Sequence, residues 1–192
     1  MAIDAVRFLH VLAVVFMAAP LYNLVVVGER ARFGKAPFAV DRYFENIIKG
    51  AAIRCYVYQF TALGTGLALL PLAGLSWTAV FSNRILLAKL VLLLALMALL
   101  SVVHLRIQPA IETLLAQVTG DAMPKEIALR LAPLRLMRKQ LAAVCLFIVI
   151  TTVLLGLQVS AQFPLALTAT FIVLAALFAW RAYSRFVPLG WV

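Results

Sequence analysis

Polar residues along the chain gather in a few places and leave five uninterrupted apolar runs, at about 6–27, 51–75, 85–105, 141–160 and 165–182. Each is close to the roughly 20 residues needed to cross about 30 Å of hydrocarbon. None alternates with a period of two, which argues against a membrane β-barrel. Backbone N–H and C=O groups in a bilayer have no water to bond, so each run must satisfy them internally, as a helix. The pattern predicts an all-α, polytopic membrane bundle of five transmembrane helices. The whole chain, 1–192, reads as a single domain with basic loops at 28–50 and 106–140.

Composition agrees. The chain is 66% hydrophobic and only 12% charged, with a mean hydropathy of +1.08; an ordinary soluble domain is about 45–50% apolar and about 25% charged. The net charge of +10 raises nucleic acid as a partner, but the cations flank the spans and form no solvated block, so they read as topology signals. Arg30, Arg32, Lys35, Arg42, Lys49 and Arg54 lie in or beside the first loop, and Arg106, Lys125, Arg130, Arg135, Arg138 and Lys139 in or beside the third. With Arg181 and Arg185, fourteen of the seventeen basic residues fall on one side. The positive-inside rule makes that side cytoplasmic, which puts the N-terminus outside and the C-terminus inside. A bacterial inner membrane is the expected location. The first run could pass for a signal peptide ending at Ala18 and Ala19, but Asp4 offsets Arg7 and the apolar stretch continues to Val27, so it is read as a mature helix.

The loops carry patterns of their own. In the first, Gly28 and Gly34 are breaks, and the second half suits a short interfacial helix before Gly50. In the third, Asp121 is placed to cap a helix near Pro124, and Ile127, Leu131, Leu134 and Met137 recur at helical spacing beside Lys and Arg. That pattern suits a helix lying on anionic lipid or a docking surface for a partner subunit. The last residues, "RAYSRFVPLGWV", read as an interfacial anchor.

Ionisable residues inside spans are expensive and are functional candidates by default. His10 and Lys89 each lie a few residues past the outer end of a helix running in the same direction, about 6–8 Å deep at 1.5 Å per residue. They are therefore level and able to meet across the bundle. Lys89 could instead snorkel to the headgroups. His104, fifteen residues from Lys89, is about 22 Å away along the axis, so one haem cannot be sandwiched by His10 and His104; His104 reads as an inner-interface anchor. Tyr22, Asn23, Arg54, Tyr56, Tyr58 and Gln59 make a second polar group on the inner side, either cross-linking helices or lining a pocket. Cys55 and Cys145 give no disulfide framework and read as small buried residues. No Walker loop, carboxylate pair, nucleophile elbow or close-spaced Cys/His motif is present in the sequence.

Two stretches carry a family likeness. "RFLHVLAVVFMAAPLYNLVV", Arg7 to Val26, and "NRILLAKLVLLLALMALLSVVHLRIQP", Asn83 to Pro109, resemble the membrane domain of CopD-type copper-resistance proteins and, more distantly, HemJ-type protoporphyrinogen oxidases. The motifs are Arg7-Phe8-Leu9-His10 and Ala88-Lys89-Leu90. The HemJ-type resemblance implies b-type haem, with His10 as an axial ligand and Lys89 as a second ligand or partner; Arg84 could pair with a propionate. The chain departs from that pattern at Phe16 to Pro20, and no histidine follows Ala-Lys-Leu at the expected spacing. The CopD-type resemblance implies copper handling, for which His10 and Met17 are the soft-metal candidates.

Three functions follow as expectations. The first is a haem-b-binding redox or haem-handling protein, a membrane oxidoreductase if it is an enzyme, acting alone or in a respiratory-type electron-transfer assembly. The second is a copper-uptake or copper-binding permease. The third is a non-catalytic subunit of a membrane complex or homo-oligomer in which Lys89 merely snorkels. Lipid is a partner in all three.

Overall fold

The computed structural model describes residues 1–29, 38–159 and 161–184. The break expected at Gly34, the cations Arg30, Arg32 and Lys35, and the tail from Arg185 onward lie outside them. Helix α1 is Ala2–Glu29, α2 Phe38–Leu72, α3 the single turn Ala79–Ser82, α4 Arg84–Val102, α5 Gln108–Leu115, α6 Lys125–Gln158 and α7 Leu165–Tyr183. A π-helical turn, Val103–Ile107, joins α4 to α5 without a break. Five of the resulting helices are long and apolar enough to cross a membrane, and no strand occurs among the described residues. Large apolar side chains face outward around the bundle, Phe8, Val15, Ile53, Phe60, Val91 and Trp180 among them. In water such a surface would be an aggregation liability; against lipid it is the ordinary exterior.

The helices do not stop where the hydropathy does. Helix α2 has 35 residues, α6 has 34 and the α4–α5 helix 32. At 1.5 Å per residue, α2 is about 52 Å long, roughly 20 Å more than the hydrocarbon it must cross. The surplus of all three lies at the basic end, where they pack as an extension of the bundle. Phe38, Ile107, Ile111, Leu115, Ile127 and Leu131 form its core.

This corrects three expectations. The helix before Gly50 is no separate interfacial piece but the first third of α2. The third-loop helix does not lie on lipid: Ile127, Leu131 and Leu134 turn inward onto α5, leaving Met137 exposed, because the extended α4–α5 helix offers an apolar face that lipid headgroups cannot. Asp121 caps nothing with its side chain. The N-cap of α6 is Pro124, whose fixed φ suits a helix start, and the Asp121 carbonyl accepts from Phe38 N at 3.3 Å, tying the loop to the start of α2.

Local chemistry explains the remaining joints. Pro109 lacks an N–H and crowds the carbonyl four residues back, and the π turn just before it absorbs the mismatch. At the opposite end, Gly74 takes a φ of +74° to end α2, and Asn83 caps α4 by accepting from Ile85 N at 2.9 Å and Leu86 N at 3.3 Å. Helix α1 lies along α2, α4 packs on α6, and α1 also reaches α6, so these four enclose the interior. Helix α7 packs on the outside of α6. Its Tyr183 hydroxyl donates to the Leu21 carbonyl at 2.7 Å, which fastens it to α1.

Candidate functional site in the bundle interior

Helix α1 brings His10 against α2 where that helix has Thr65 and Gly66. His10 Nδ1 lies 3.0 Å from Thr65 Oγ1. The Thr65 hydroxyl has one hydrogen, and it points to its own helix, 2.6 Å from the Thr61 carbonyl. The hydroxyl therefore accepts from His10, and Nδ1 carries the ring proton. Gly66 is what lets the ring sit there: a Cβ at that position would be 3.2 Å from His10 Cε1 and 3.6 Å from Nδ1.

Lys89 projects from α4 toward α6. Its Nζ would lie 3.7 Å from a Cβ built on Gly156, so the amine rests over bare helix backbone in the interior, with its stem half-buried. His10 thus faces α2 and Lys89 faces α6, each with a glycine opposite it. No carboxylate pairs with Lys89 among the described residues; Asp4, the acid nearest in sequence to His10, pairs with the N-terminal amine at 3.1 Å. Arg84 is exposed at the first position of α4, five residues or about 7.5 Å toward the rim from Lys89.

The other candidates lie elsewhere. Met17 is two turns along α1 from His10, about 10 Å, and packs with Cys55 and Cys145. His104 sits on the π turn with its ring edge-on to Tyr56 at 6.0 Å, and its buried Nδ1 has no partner. The six-residue inner polar group separates. Tyr56 shares a hydrogen bond with Ser101 at 2.8 Å, Tyr58 stacks on Phe16, Arg54 Nε donates to the Gly50 carbonyl, Tyr22 is exposed and Gln59 is buried. It cross-links α2 to α1 and α4, and of the six Asn23 and Gln59 line a common cavity.

Sequence reasoning missed a polar cluster at the basic end. Arg138 on α6 donates from Nη1 to Glu45 Oε2 at 2.6 Å and from Nη2 to Glu45 Oε1 at 3.0 Å, and from Nη1 to Gln108 Oε1 at 2.9 Å. Arg135 bridges Asp41 and Glu45, and Lys49 pairs with Glu112 at 2.9 Å. Glu45 is only 2% exposed and Arg138 4%. The available signal was spacing: Asp41 and Glu45 are four apart and Arg135 and Arg138 three apart, so each pair occupies one helical face.

Among the described residues, no three His, Cys, Asp or Glu side chains are grouped to hold a metal ion. Comparison with family models, curated proteins and solved structures gave no match.

Proposed function

We propose that this chain is an integral membrane protein that binds haem b at the His10–Lys89 site, on the outer side of a bacterial inner membrane, in a redox or haem-handling role. The observation that carries the reading is an imidazole held through Nδ1 by Thr65 and a half-buried amine that pairs with no carboxylate among the described residues, each facing a glycine.

The residues suit the group. Thr65 holds the imidazole tautomer and ring plane, as a supporting hydrogen bond does for metal-bound histidines generally. Gly66 and Gly156 leave flat backbone beside each candidate ligand. Lys89 presents an amine to the same interior, as a second ligand or as a partner to the site. Arg84 stands at the rim, where a guanidinium can grip a carboxylate. Haem bound here would supply one-electron chemistry, its potential set by the ligand pair and by burial. Charge asymmetry supports the orientation, since the extension carrying Arg135, Arg138 and Lys49 is the cytoplasmic side under the positive-inside rule.

The test is the oxidised and dithionite-reduced visible spectrum of protein purified from haem-replete cells, beside His10→Ala and Lys89→Ala. The expected result is a b-type signal that His10→Ala abolishes and Lys89→Ala shifts or removes. A wild-type signal left unchanged in both variants would place any haem elsewhere and return Lys89 to a snorkelling role in a structural subunit.

A further inference from the structure

At the basic end a polar groove of about 240 Å³ lies between the first third of α2 and α5. Helix α2 contributes Arg42, Asn46 and Lys49, spaced i, i+4 and i+7 and so on one stripe, and α5 contributes Gln108 and Glu112, one turn apart. Glu45, buried in the clamp, lines it as well.

The charges around the groove divide into partnered and unpartnered groups. Glu45 is held by Arg138 and Arg135, and Glu112 by Lys49 at 2.9 Å. Arg42 and Asn46 are exposed and make no ion pair or side-chain hydrogen bond among the described residues. Arg135 and Arg138 offset Asp41 and Glu45, and Lys49 offsets Glu112, so the Arg42 guanidinium is the charge left over. Around it stand further donors, the Asn46 amide and the N–H groups of Lys49 that Glu112 does not take. A surplus guanidinium among donors selects an anion, and its planar fork fits phosphate or carboxylate.

Depth narrows the choice. Lys49 stands two residues before the apolar run that begins at Ala51, and Gln108 three residues after the run that ends at Leu105. At 1.5 Å per residue both lie about 3–5 Å outside the hydrocarbon, within the roughly 5–8 Å layer that head groups occupy on each face of a bilayer. Basic pockets between membrane-crossing helices at this level take lipid phosphate. The volume suits that occupant: at about 30 Å³ for each water-sized group, it has room for about eight, on the scale of a phosphate with its glycerol.

We propose that this groove binds the phosphate of an anionic phospholipid, with Arg42 as the principal contact and Asn46 and Lys49 as supporting donors. Charge selects the class of head group. An ammonium would be brought against Arg42 and Lys49, and Glu112, already held by Lys49, is not free to receive it; a glycerol head group carries no such charge. The site is separate from His10 and Lys89 and does not depend on the haem reading. It requires only that the five apolar helices cross a membrane.

The experiment uses the full chain, delipidated in detergent and titrated with phosphatidylglycerol or with phosphatidylcholine of the same acyl chains, the retained lipid being counted by native mass spectrometry. Glycerol 3-phosphate in water is the soluble competitor. Arg42→Gln is compared with Arg130→Gln, which removes the same charge from an exposed position on α6 outside the groove. Wild type is expected to hold one phosphatidylglycerol per chain in preference to phosphatidylcholine. Arg42→Gln should weaken that retention about fivefold, the effect of one basic residue at an anionic lipid surface, and Arg130→Gln should leave it unchanged. Both side chains are exposed, and an unaltered unfolding midpoint in lipid-free detergent separates lost binding from lost fold. Equal retention of the two lipids, or equal weakening by the two variants, would overturn the proposal. Displacement of bound phosphatidylglycerol by glycerol 3-phosphate would overturn the lipid assignment and give the groove to a soluble phosphate ester.

Discussion

The two ends of the bundle handle buried charge in opposite ways. At the basic end Arg138, Glu45 and Gln108 interlock across three helices, Arg135 joins through Asp41 and Glu45, and Lys49 meets Glu112. At the other end Lys89 has glycine backbone beneath it and no carboxylate among the described residues to balance it. A neutralised buried charge supports the fold, because breaking it strands a partner. A buried cation without a counter-ion destabilises the fold and is kept for another reason, which at membrane depth is function by default. On this contrast the basic end is a structural clamp, and the ligand site proposed above lies at the other end, with His10 and Lys89.

The contrast can be broken most sharply at the clamp. Glu45→Ala leaves Arg138 buried without its carboxylate and should cost about 3–5 kcal/mol, read as a fall in the unfolding midpoint in detergent. Replacing both partners, Glu45→Leu with Arg138→Met, should recover most of that loss, since an apolar pair of similar volume is often neutral or better. If the double variant were as unstable as the single, the pair would be more than a satisfied clamp.

The glycines sharpen the picture at the other end. Gly66→Ala places a Cβ 3.2 Å from His10 Cε1, and overpacking of this kind should cost about 1–3 kcal/mol while moving the imidazole and altering any bound chromophore. Thr65→Val removes the acceptor of the His10 Nδ1 proton and should cost about 0.6 kcal/mol, the average for interhelical hydrogen bonds in membranes, with a larger effect on the haem spectrum than on stability. Gly156→Ala should be the mildest, because 3.7 Å from Lys89 Nζ is ordinary contact. It should leave the midpoint unchanged or raise it by a few tenths of a kcal/mol through helix propensity. Thermal unfolding of the three variants side by side checks the order.

Much of the transmembrane architecture was legible because the five apolar runs are continuous and lipid imposes the helix. What could not be read was lateral: Thr65 and Gly66 opposite His10, and Gly156 opposite Lys89, depend on helix rotation and register, which a hydropathy profile does not encode. The extension was missed for a related reason. Hydropathy falls at Asp41, Glu45, Arg135 and Arg138, yet the helices continue, because acids on α2 meet bases on α6 more than 90 positions away in sequence. Cys55 and Cys145 are the small buried residues expected, while their packing against Met17 in one cluster depends on helix rotation that the sequence does not encode.

The most direct test of the central claim is the reduced-minus-oxidised spectrum of the wild-type protein with haem counted per chain. One b-type haem per chain is the predicted result, and its loss in His10→Ala would make His10 and Lys89 a cofactor site. A featureless spectrum from well-folded protein made with ample haem would contradict it, and the His10–Lys89 pairing would then need another ligand.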